Sequence, residues 1–236
     1  MLAAAAAFIQ ETVKVTVIVP VKNEADNLSE LLPLLRPHGD ELIVVDGHSS
    51  DASAEIARRH ADRVILDGGG GKGDGLRTGA AAAVHDLVLF IDADFSHDPA
   101  DIPRLLAPLR DGSADHVQGS RMLGGSDELF TDFGNYLRLF GSLLITATIN
   151  LRFGSRITDS QNGFRAMKKS VFEALGTVEN STTIEQEMIM KTLARGFRLR
   201  EVATHEYARR AGISKVALRK VWARYVWHWL TCLFSA

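Results

Sequence analysis

The chain lacks most of the features that would assign it to a specialised class of protein. Its 236 residues include one cysteine, Cys232, which excludes an intrachain disulfide framework and is typical of a reducing compartment. Lysine and arginine (27) nearly balance aspartate and glutamate (29), so no overall basic excess draws the protein to nucleic acid. A composition of 46% apolar and 24% charged residues excludes disorder and indicates a globular protein.

Long apolar runs are also missing. The longest stretches without a charged residue, 139–151 and 225–236, are shorter than the roughly 18–20 apolar residues that a membrane-spanning helix needs. The alanine-rich start, 1–13, lacks the basic region of a signal peptide, so we expect a leader outside the folded domain. No proline- or serine-rich linker divides the rest, which predicts one domain at 14–214 and an amphipathic helix at 215–236.

Short runs rich in valine, isoleucine and leucine alternate with segments of helical periodicity in the first half of the chain. The predicted strands are 15–19, 42–45, 64–66, 87–91 and a fifth near His116 and Val117, and the predicted helices are 28–35, 52–59, 76–84 and 102–109. Such short apolar runs are typical of strands buried on both faces, so the alternation predicts an α/β fold with a mostly parallel sheet between helices. Two helices, a strand and a terminal helix are expected to complete the domain, at about 133–150, 184–194, 197–202 and from Lys215.

Polar residues follow every predicted strand. They are Lys22-Asn23-Glu24, Asp46-Gly47-His48-Ser49-Ser50-Asp51, Asp67, Asp92-Ala93-Asp94 and Gln118-Gly119-Ser120-Arg121. Each segment alone is compatible with a turn. Because ligands bind outside the carboxyl ends of strands in open parallel sheets, the set of segments predicts a ligand site at that edge.

Asp92 and Asp94 carry most of the chemical information. Two carboxylates at the end of a strand can share a hard divalent cation that also binds phosphate oxygens, although the same pattern occurs in solvated turns. Their position directly after the apolar run 87–91 favours the metal site. After the second strand, Asp51 is predicted to cap the next helix and Asp46 to contact a base or ribose.

The glycine run 68–73 matches the dinucleotide fingerprint G-x-G-x-x-G, with an acid about 20 residues further on. Two βα units precede it, however, whereas the fingerprint usually opens the first unit. A Walker phosphate loop is excluded because Leu66 occupies the position of its first glycine. Close backbone approach to a nucleotide and a merely flexible loop are equal alternatives for these glycines.

Several motifs occur in a fixed order between about residues 15 and 215. They are Val17-Ile18-Val19-Pro20-x-x-Asn23-Glu24, Val45-Asp46-Gly47-x-Ser49-x-Asp51, Gly71-Lys72-Gly73, Ile91-Asp92-Ala93-Asp94-Phe95-Ser96-His97-x-Pro99, Gly119-Ser120-Arg121, Asp159-x-x-x-Gly163-Phe164-Arg165 and Arg209-x-x-Gly212-x-Ser214-Lys215. Together they resemble a family 2 glycosyltransferase of the GT-A fold, and more narrowly the dolichyl-phosphate (polyprenyl-phosphate) mannosyl- and hexosyltransferases. The resemblance implies a Rossmann-like, mostly parallel sheet flanked by helices, with C-terminal amphipathic helices.

The resemblance also implies an activity. A hexose would pass, with inversion, from a nucleoside diphosphate sugar (GDP- or UDP-hexose) to a polyprenyl phosphate, with Mg²⁺ or Mn²⁺ as cofactor. The enzyme would be cytoplasmic and peripherally associated with the cytoplasmic face of a membrane, which is compatible with a membrane partner subunit or a homo-oligomer. A soluble acceptor, or a nucleotide-binding module with an inactive site, are the alternatives.

The same resemblance implies roles for individual residues. The donor pocket would be formed by Pro20, Asn23, Glu24, Asp46, Lys72 and Gly73. The metal ligands would be Asp92 and Asp94, and the catalytic residues Asp94, Arg121 and, beside the sugar, Glu187. Binding of donor and acceptor phosphates would involve Arg121, Arg209, Ser214 and Lys215, and the acceptor loop would comprise Asp159, Gly163, Phe164 and Arg165.

Two segments could contact a membrane. Helical periodicity in the terminal segment places Lys220, Arg224 and His228 on one face beside an aromatic face, a combination that suits the headgroup region. The uncharged segment 139–151 could lie beside it, although runs of this length are equally often buried helices.

Overall fold

The computed structural model describes residues 13–129, 133–210, 226–227 and 229–234. The strands are β1 (Val15–Val21), β2 (Glu41–Asp46), β3 (Arg63–Leu66), β4 (Leu87–Phe90), β5 (His116–Ser120), β6 (Arg165–Lys168) and β7 (Leu199–Ala203). The α-helices are α1 (Ala25–Leu35), α2 (Ser53–His60), α3 (Lys72–Ala82), α4 (Ile102–Arg110), α5 (Arg121–Gly124), α6 (Phe133–Phe153), α7 (Lys169–Leu175) and α8 (Ile184–Ala194).

The strands form one seven-stranded sheet in the order β3-β2-β1-β4-β6-β5-β7. All pairs are parallel except those made by β6, which runs antiparallel to both β4 and β5. The prediction of a mostly parallel α/β sheet flanked by helices is therefore confirmed. Parallel order places the ends of β1, β2 and β4 at one edge, so the polar segments that follow these strands meet there.

The apolar residues of the strands pack against helices on both faces of the sheet. In β1, Val17 and Val19 join the cluster that contains Leu28 of α1, whereas Ile18 points to the opposite cluster with Leu76 of α3. All five side chains are at most 1% exposed. Burial on both faces explains why these strands are continuous apolar runs, since neither face meets water.

Strand β6 and helix α7 were not predicted. The strand sequence Arg165-Ala166-Met167-Lys168 has no apolar run, yet Arg165, Ala166 and Met167 are completely buried. Helix α3 begins at Lys72, four residues before the predicted start at residue 76. Its first turn was not predicted because it contains Gly73 and Gly75, which are poor helix formers and add nothing to the apolar periodicity. Helix α8 has the predicted bounds of 184–194.

Only the end of the predicted terminal helix lies among the described residues. Residues 226–227 and 229–234 are helical, and Trp229 Nε1 donates a hydrogen bond to Thr148 Oγ1 of α6 at 2.9 Å. Leu233 packs with Ile149 in the cluster between α6 and α8. Within the described ranges, no helix combines the length and hydropathy needed to cross a bilayer. The division at residues 14–214 and 215–236 stays a prediction.

Candidate active site

A cavity of about 350 Å³ opens at the carboxyl ends of β1, β2 and β4. Six of the predicted site residues line it, namely Pro20, Glu24, Lys72, Asp92, Asp94 and Arg209. Asp67, one of the polar residues that follow the predicted strands, also lines it, as do Ser181 and Thr182, which were not predicted to bind a ligand. A single concave site thus collects polar side chains from distant parts of the chain, as expected for a ligand site of a parallel α/β sheet.

Lys72 lies between two carboxylates at one wall of this cavity. Its Nζ is 2.7 Å from Asp92 Oδ1, 2.8 Å from Asp92 Oδ2 and 2.6 Å from Glu185 Oε1. Burial opposes the charged ammonium, but the two carboxylates outweigh burial and raise the pKa of Lys72 above its ordinary value. Lys72 is therefore a permanently charged cation at the cavity wall.

Asp94 is the second carboxylate of the pair and is only 4% exposed. Its Oδ1 accepts a hydrogen bond from the Ser96 backbone N–H at 3.0 Å, and its Oδ2 is 3.0 Å from Arg209 Nη2. The adjacent Arg210 guanidinium stacks 4.2 Å from the centre of the Phe95 ring. The segment containing Arg209 is thereby held against the loop that follows β4.

Asp92 and Asp94 are the two residues of this site that would hold a divalent cation bound together with a diphosphate. Both carboxylates line the same cavity, and each is 3.0 Å or less from a cationic side chain, so a metal ion there would compete with Lys72 and Arg209. Among the described residues, no group of three or more histidine, cysteine and acidic side chains forms a metal-binding cluster. Two carboxylates fit Mg²⁺ or Mn²⁺, since Mg²⁺ usually takes one or two from the protein and its other ligands from phosphates and water.

The glycine run before α3 fits against the 178–182 loop. A Cβ atom on Gly73 would lie 2.0 Å from the Glu179 backbone oxygen, and the Gly73 N–H donates to the Asn180 oxygen at 2.8 Å. Gly71 has a φ of 116°, which favours glycine. The glycines are therefore required for close packing that places Lys72, rather than for flexibility.

Glu187 does not line the cavity. Its carboxylate accepts hydrogen bonds from the backbone N–H groups of Val178 and Glu179, both at 3.0 Å, and pairs with Lys191 at 2.8 Å. It thus shapes the loop that packs against Gly73. The acid on this helix that reaches the cluster of charged residues is Glu185, which the sequence analysis did not identify.

Arg121, predicted to bind phosphate, is paired with acids of the protein. Its Nε and Nη2 donate to the two oxygens of Asp159 at 2.6 and 2.9 Å, and its Nη1 donates to Glu206 at 3.2 Å. Burial raises the pKa of Asp159, but Arg121 outweighs it and holds the pKa below its ordinary value. The geometry assigns Arg121 to joining β5, the 159–165 loop and the segment after β7.

The 159–165 loop reaches the cluster through Gly163. A Cβ atom on Gly163 would lie 2.7 Å from Asp92 Oδ2, 2.8 Å from Lys72 Nζ and 3.0 Å from Glu185 Oε1. Arg165 is completely buried, and its Nη1 donates to the Glu185 backbone oxygen at 3.0 Å. This loop therefore packs against the site and limits the space around Lys72.

His97 packs below the loop after β4. It is 4% exposed, and its ring stacks on Phe164 with centres 5.1 Å apart. Burial lowers the pKa of His97, so its ring is neutral at physiological pH. Phe164 and His97 thus pack against each other beside the loop that follows β4.

Asn23 and Asp46 do not line the cavity. Asn23 has a φ of 54° and its side-chain oxygen accepts from the Ser50 N–H at 2.7 Å. Asp46 Oδ1 accepts from the Ser49 N–H at 3.0 Å. Both residues shape the loop after β2, and Asp67, at the end of β3, is the acid that faces the cavity there.

Ser214 and Lys215 lie outside the described residues, so their predicted phosphate contacts stay predictions. Asp67 was predicted only as one of the polar residues that follow the strands, without a role of its own. Glu185 was not predicted at all. Glu185 has no local signal, because only the packing of α8 against α3 brings it to Lys72.

Comparison with known proteins agrees with this architecture. The profile described as "Glycosyl transferase family 2" matches residues 16–176. An uncharacterized glycosyltransferase of Mycobacterium tuberculosis is 30% identical over 204 residues, which are 86% of this chain and 89% of that protein. An undecaprenyl-phosphate 4-deoxy-4-formamido-L-arabinose transferase of Edwardsiella ictaluri is 33% identical over 233 residues, which are 93% of this chain and 67% of that protein.

Solved structures share the fold. Glucosyl-3-phosphoglycerate synthase from Mycobacterium tuberculosis, in complex with Mn²⁺, UDP and phosphoglyceric acid, superposes with a TM-score of 0.77 at 21% identity. The superposition covers 98% of this chain and 82% of that one. The fold is therefore that of the GT-A glycosyltransferases. The chain belongs to glycosyl transferase family 2.

Proposed function

We propose that this glycosyltransferase transfers a hexose, with inversion, from a nucleoside diphosphate sugar to a polyprenyl (dolichyl) phosphate in a metal-dependent reaction. The observation that carries the proposal is the single cavity into which Asp92, Asp94, Lys72 and Arg209 all point. Paired carboxylates with nearby cations suit a diphosphate held by a divalent metal ion. The similarity to undecaprenyl-phosphate sugar transferases supports a lipid phosphate as acceptor.

In the proposed reaction the protein binds and aligns the two substrates. A bound Mg²⁺ or Mn²⁺ at Asp92 and Asp94 would neutralise charge that develops on the departing diphosphate. Lys72 and Arg209 lie where they can bind the diphosphate oxygens. A phosphate monoester acceptor has a second pKa of about 6, so it is already anionic at neutral pH. Its attacking oxygen therefore requires no general base to remove a proton.

Helix α6 supports contact with a membrane. Tyr136, Phe140, Leu143, Leu144 and Leu151 are 45–87% exposed. At 3.6 residues per turn these positions share one face of the helix, opposite the buried face that packs on the core. Exposed apolar stripes of this kind are typical of binding surfaces, and this one suits the boundary between headgroups and acyl chains.

The terminal segment extends this apolar surface. Trp227 and Phe234 are 71% and 75% exposed on a helix that packs along α6. We propose peripheral association with the cytoplasmic face of a membrane through these two helices. In a sedimentation assay, the wild-type protein should pellet together with vesicles that contain anionic lipid. A smaller fraction of a Phe140→Ser, Trp227→Ser double variant should pellet with the same vesicles.

The transfer reaction is tested with a panel of labelled GDP- and UDP-hexoses, vesicles containing polyprenyl phosphate, and either Mg²⁺ or Mn²⁺. We expect label in a solvent-extractable lipid phosphate, lost with a chelator and in Asp94→Asn. Asp111→Asn is the matched control, since that acid is exposed at the end of α4. Product that forms without lipid would establish a soluble acceptor instead, and nucleotide binding with no transfer would indicate an inactive binding module.

A further inference from the structure

The Lys72 ammonium is shared between an acid that faces the cavity and one that does not. Asp92 lines the cavity, whereas Glu185 lies behind Lys72, and its side chain is only 9% exposed. The ammonium contacts both oxygens of Asp92, at 2.7 and 2.8 Å, and one oxygen of Glu185, at 2.6 Å. A cation that binds Asp92 from the cavity must therefore compete with Lys72.

Glu185 changes the cost of that competition. If Asp92 were the only acid near Lys72, whose side chain is only 18% exposed, a metal ion on Asp92 would leave the Lys72 ammonium without a partner. A buried charge that loses its only partner is strongly destabilised. With Glu185 at 2.6 Å, Lys72 keeps a carboxylate partner when Asp92 turns to the metal.

We propose that Glu185 is a positioning residue of the metal site, which keeps Lys72 in an ion pair when Asp92 turns to the cation, so that Asp92 can bind the metal at lower cost. The proposal rests on the metal dependence proposed above. It assigns to Glu185 no contact with metal or sugar. Its effect on the metal passes through Lys72.

The surroundings of Glu185 fix it in this place. Its backbone N–H donates to the Thr182 oxygen at 3.2 Å, and its backbone oxygen accepts from Arg165 at 3.0 Å. Gly163 leaves no room for the cluster to spread, because a Cβ atom there would approach all three charged groups to 3.0 Å or less. Burial and the neighbouring Asp92 raise the pKa of Glu185, while Lys72, Arg165 and its position in the electropositive first turn of α8 act in the opposite direction.

The test measures binding of Mn²⁺ alone, by the electron paramagnetic resonance signal of free Mn²⁺, with no nucleotide present. We expect Glu185→Gln to weaken Mn²⁺ binding by about tenfold or more, since Lys72 is then held by Asp92 alone. Lys72→Met and the double variant Lys72→Met, Glu185→Gln should bind Mn²⁺ equally well. The double variant removes both buried charges, so it keeps the test available if Glu185→Gln alone folds poorly.

Glu41→Gln is the matched control. Glu41 is also buried, at 6% exposure, and its carboxylate accepts from Thr16 Oγ1 at 2.7 Å and the Val84 N–H at 3.0 Å. It begins β2, at the opposite edge of the sheet from the cavity. We expect it to lower thermal stability without changing Mn²⁺ affinity.

Two results would overturn the proposal for Glu185. One is wild-type affinity in Glu185→Gln. The other is equal weakening by Glu185→Gln with and without Lys72, because that would mean direct attraction between Glu185 and the metal. In both cases Mn²⁺ binding that depends on Asp94 would leave the proposed function standing. A wild-type protein that binds no Mn²⁺ either alone or with a nucleoside diphosphate would overturn both.

Discussion

Arg121 and Asp159 form a buried, two-pronged ion pair, with Nε to Oδ2 at 2.6 Å and Nη2 to Oδ1 at 2.9 Å. Asp159 is 1% exposed, so removal of the guanidinium would leave a buried carboxylate without its partner. The pair joins the end of β5 to the 159–165 loop, which in turn packs against the charged cluster at the cavity. Its first role is therefore structural.

We expect Arg121→Ala to lower the free energy of unfolding by about 3–5 kcal/mol, the usual cost of removing one partner of a buried ion pair. Arg121→Lys should recover only part of this, because an ammonium lacks the planar guanidinium fork in which two nitrogens each donate to one carboxylate oxygen. Urea unfolding of the three proteins measures the effect. A variant with wild-type stability but a raised KM for the donor would show instead that Arg121 acts mainly on phosphate.

Gly163→Ala should disrupt the cluster without unfolding the protein. The new Cβ atom would meet Asp92, Lys72 and Glu185 at 2.7–3.0 Å, so these side chains must move. Displacement of aligned groups by a fraction of an ångström commonly costs activity by about tenfold or more. We expect such a loss in the transfer assay with a small change in the melting temperature.

Gly141→Ala is the matched control for that substitution. Gly141 lies within α6, and a Cβ atom there would meet no atom within 4 Å. Alanine favours a helix over glycine by about 1 kcal/mol, so this variant should be as active as the wild type and no less stable. Equal activity of both glycine variants would contradict the proposed crowding at Gly163.

Asp115 should make the stability of the fold depend on acid. Its carboxylate accepts bonds from Arg198 at 2.9 Å and from Lys168 at 2.7 Å, and these bonds outweigh burial and hold its pKa well below the ordinary value. Between the ordinary pKa of about 3.9 and the lower folded value, the unfolded chain binds a proton that the folded chain does not. The stabilisation is therefore complete above about pH 5 and is lost as the pH falls below about 4.

Asp115→Asn tests this directly. At pH 7 we expect the variant to be less stable by about 1–2 kcal/mol, a value reduced for the solvent exposure of Arg198. The difference from wild type should shrink as the pH falls from about 5 towards 2.5. Urea midpoints measured at several pH values give the result, and a difference independent of pH would exclude an ionic contribution.

Cys232 reports on the packing of the terminal helix against α6. The thiol is 9% exposed within the cluster that contains Ile149 and Leu233, and burial raises its pKa to about 11. At pH 8 this lowers the thiolate fraction by about a hundredfold relative to an unperturbed thiol, so alkylation should be slow. Reaction with iodoacetamide should accelerate in urea, and fast alkylation of the native protein would show that the helix leaves α6.

Much of the sheet could be predicted from local pattern. Apolar runs such as 15–19 and 87–91 are recognisable because strands buried on both faces need apolar side chains at every position. Strand β6 was not predicted because two of its four residues, Arg165 and Lys168, are basic. Its antiparallel pairing with β4 and β5 depends on the tertiary structure. Local periodicity carries no information about such a partner.

Several residues that follow the predicted strands could be placed at the site. Asp92, Asp94, Pro20 and Glu24 line the cavity, because the carboxyl ends of parallel strands meet at one edge of the sheet, whereas Asn23 and Asp46 at the same edge do not line it. Lys72 also lines it, at the start of α3. The sequence by itself thus determined the fold class, the edge of the sheet at which the cavity lies, and the Asp92 and Asp94 pair that lines it.

Only the tertiary structure decided how the remaining charges are paired. Arg121 could have faced phosphate or protein, and the approach of the 159–165 loop gives it Asp159. Of the two acids on α8, the direction of the helix turns Glu185 towards Lys72 and Glu187 towards the 178–179 backbone. Along the chain, Asp159 is 38 residues from Arg121, and Glu185 is 113 residues from Lys72. Pairing over such distances depends on how the elements pack, because the charge of a side chain specifies the sign of its partner and not its identity.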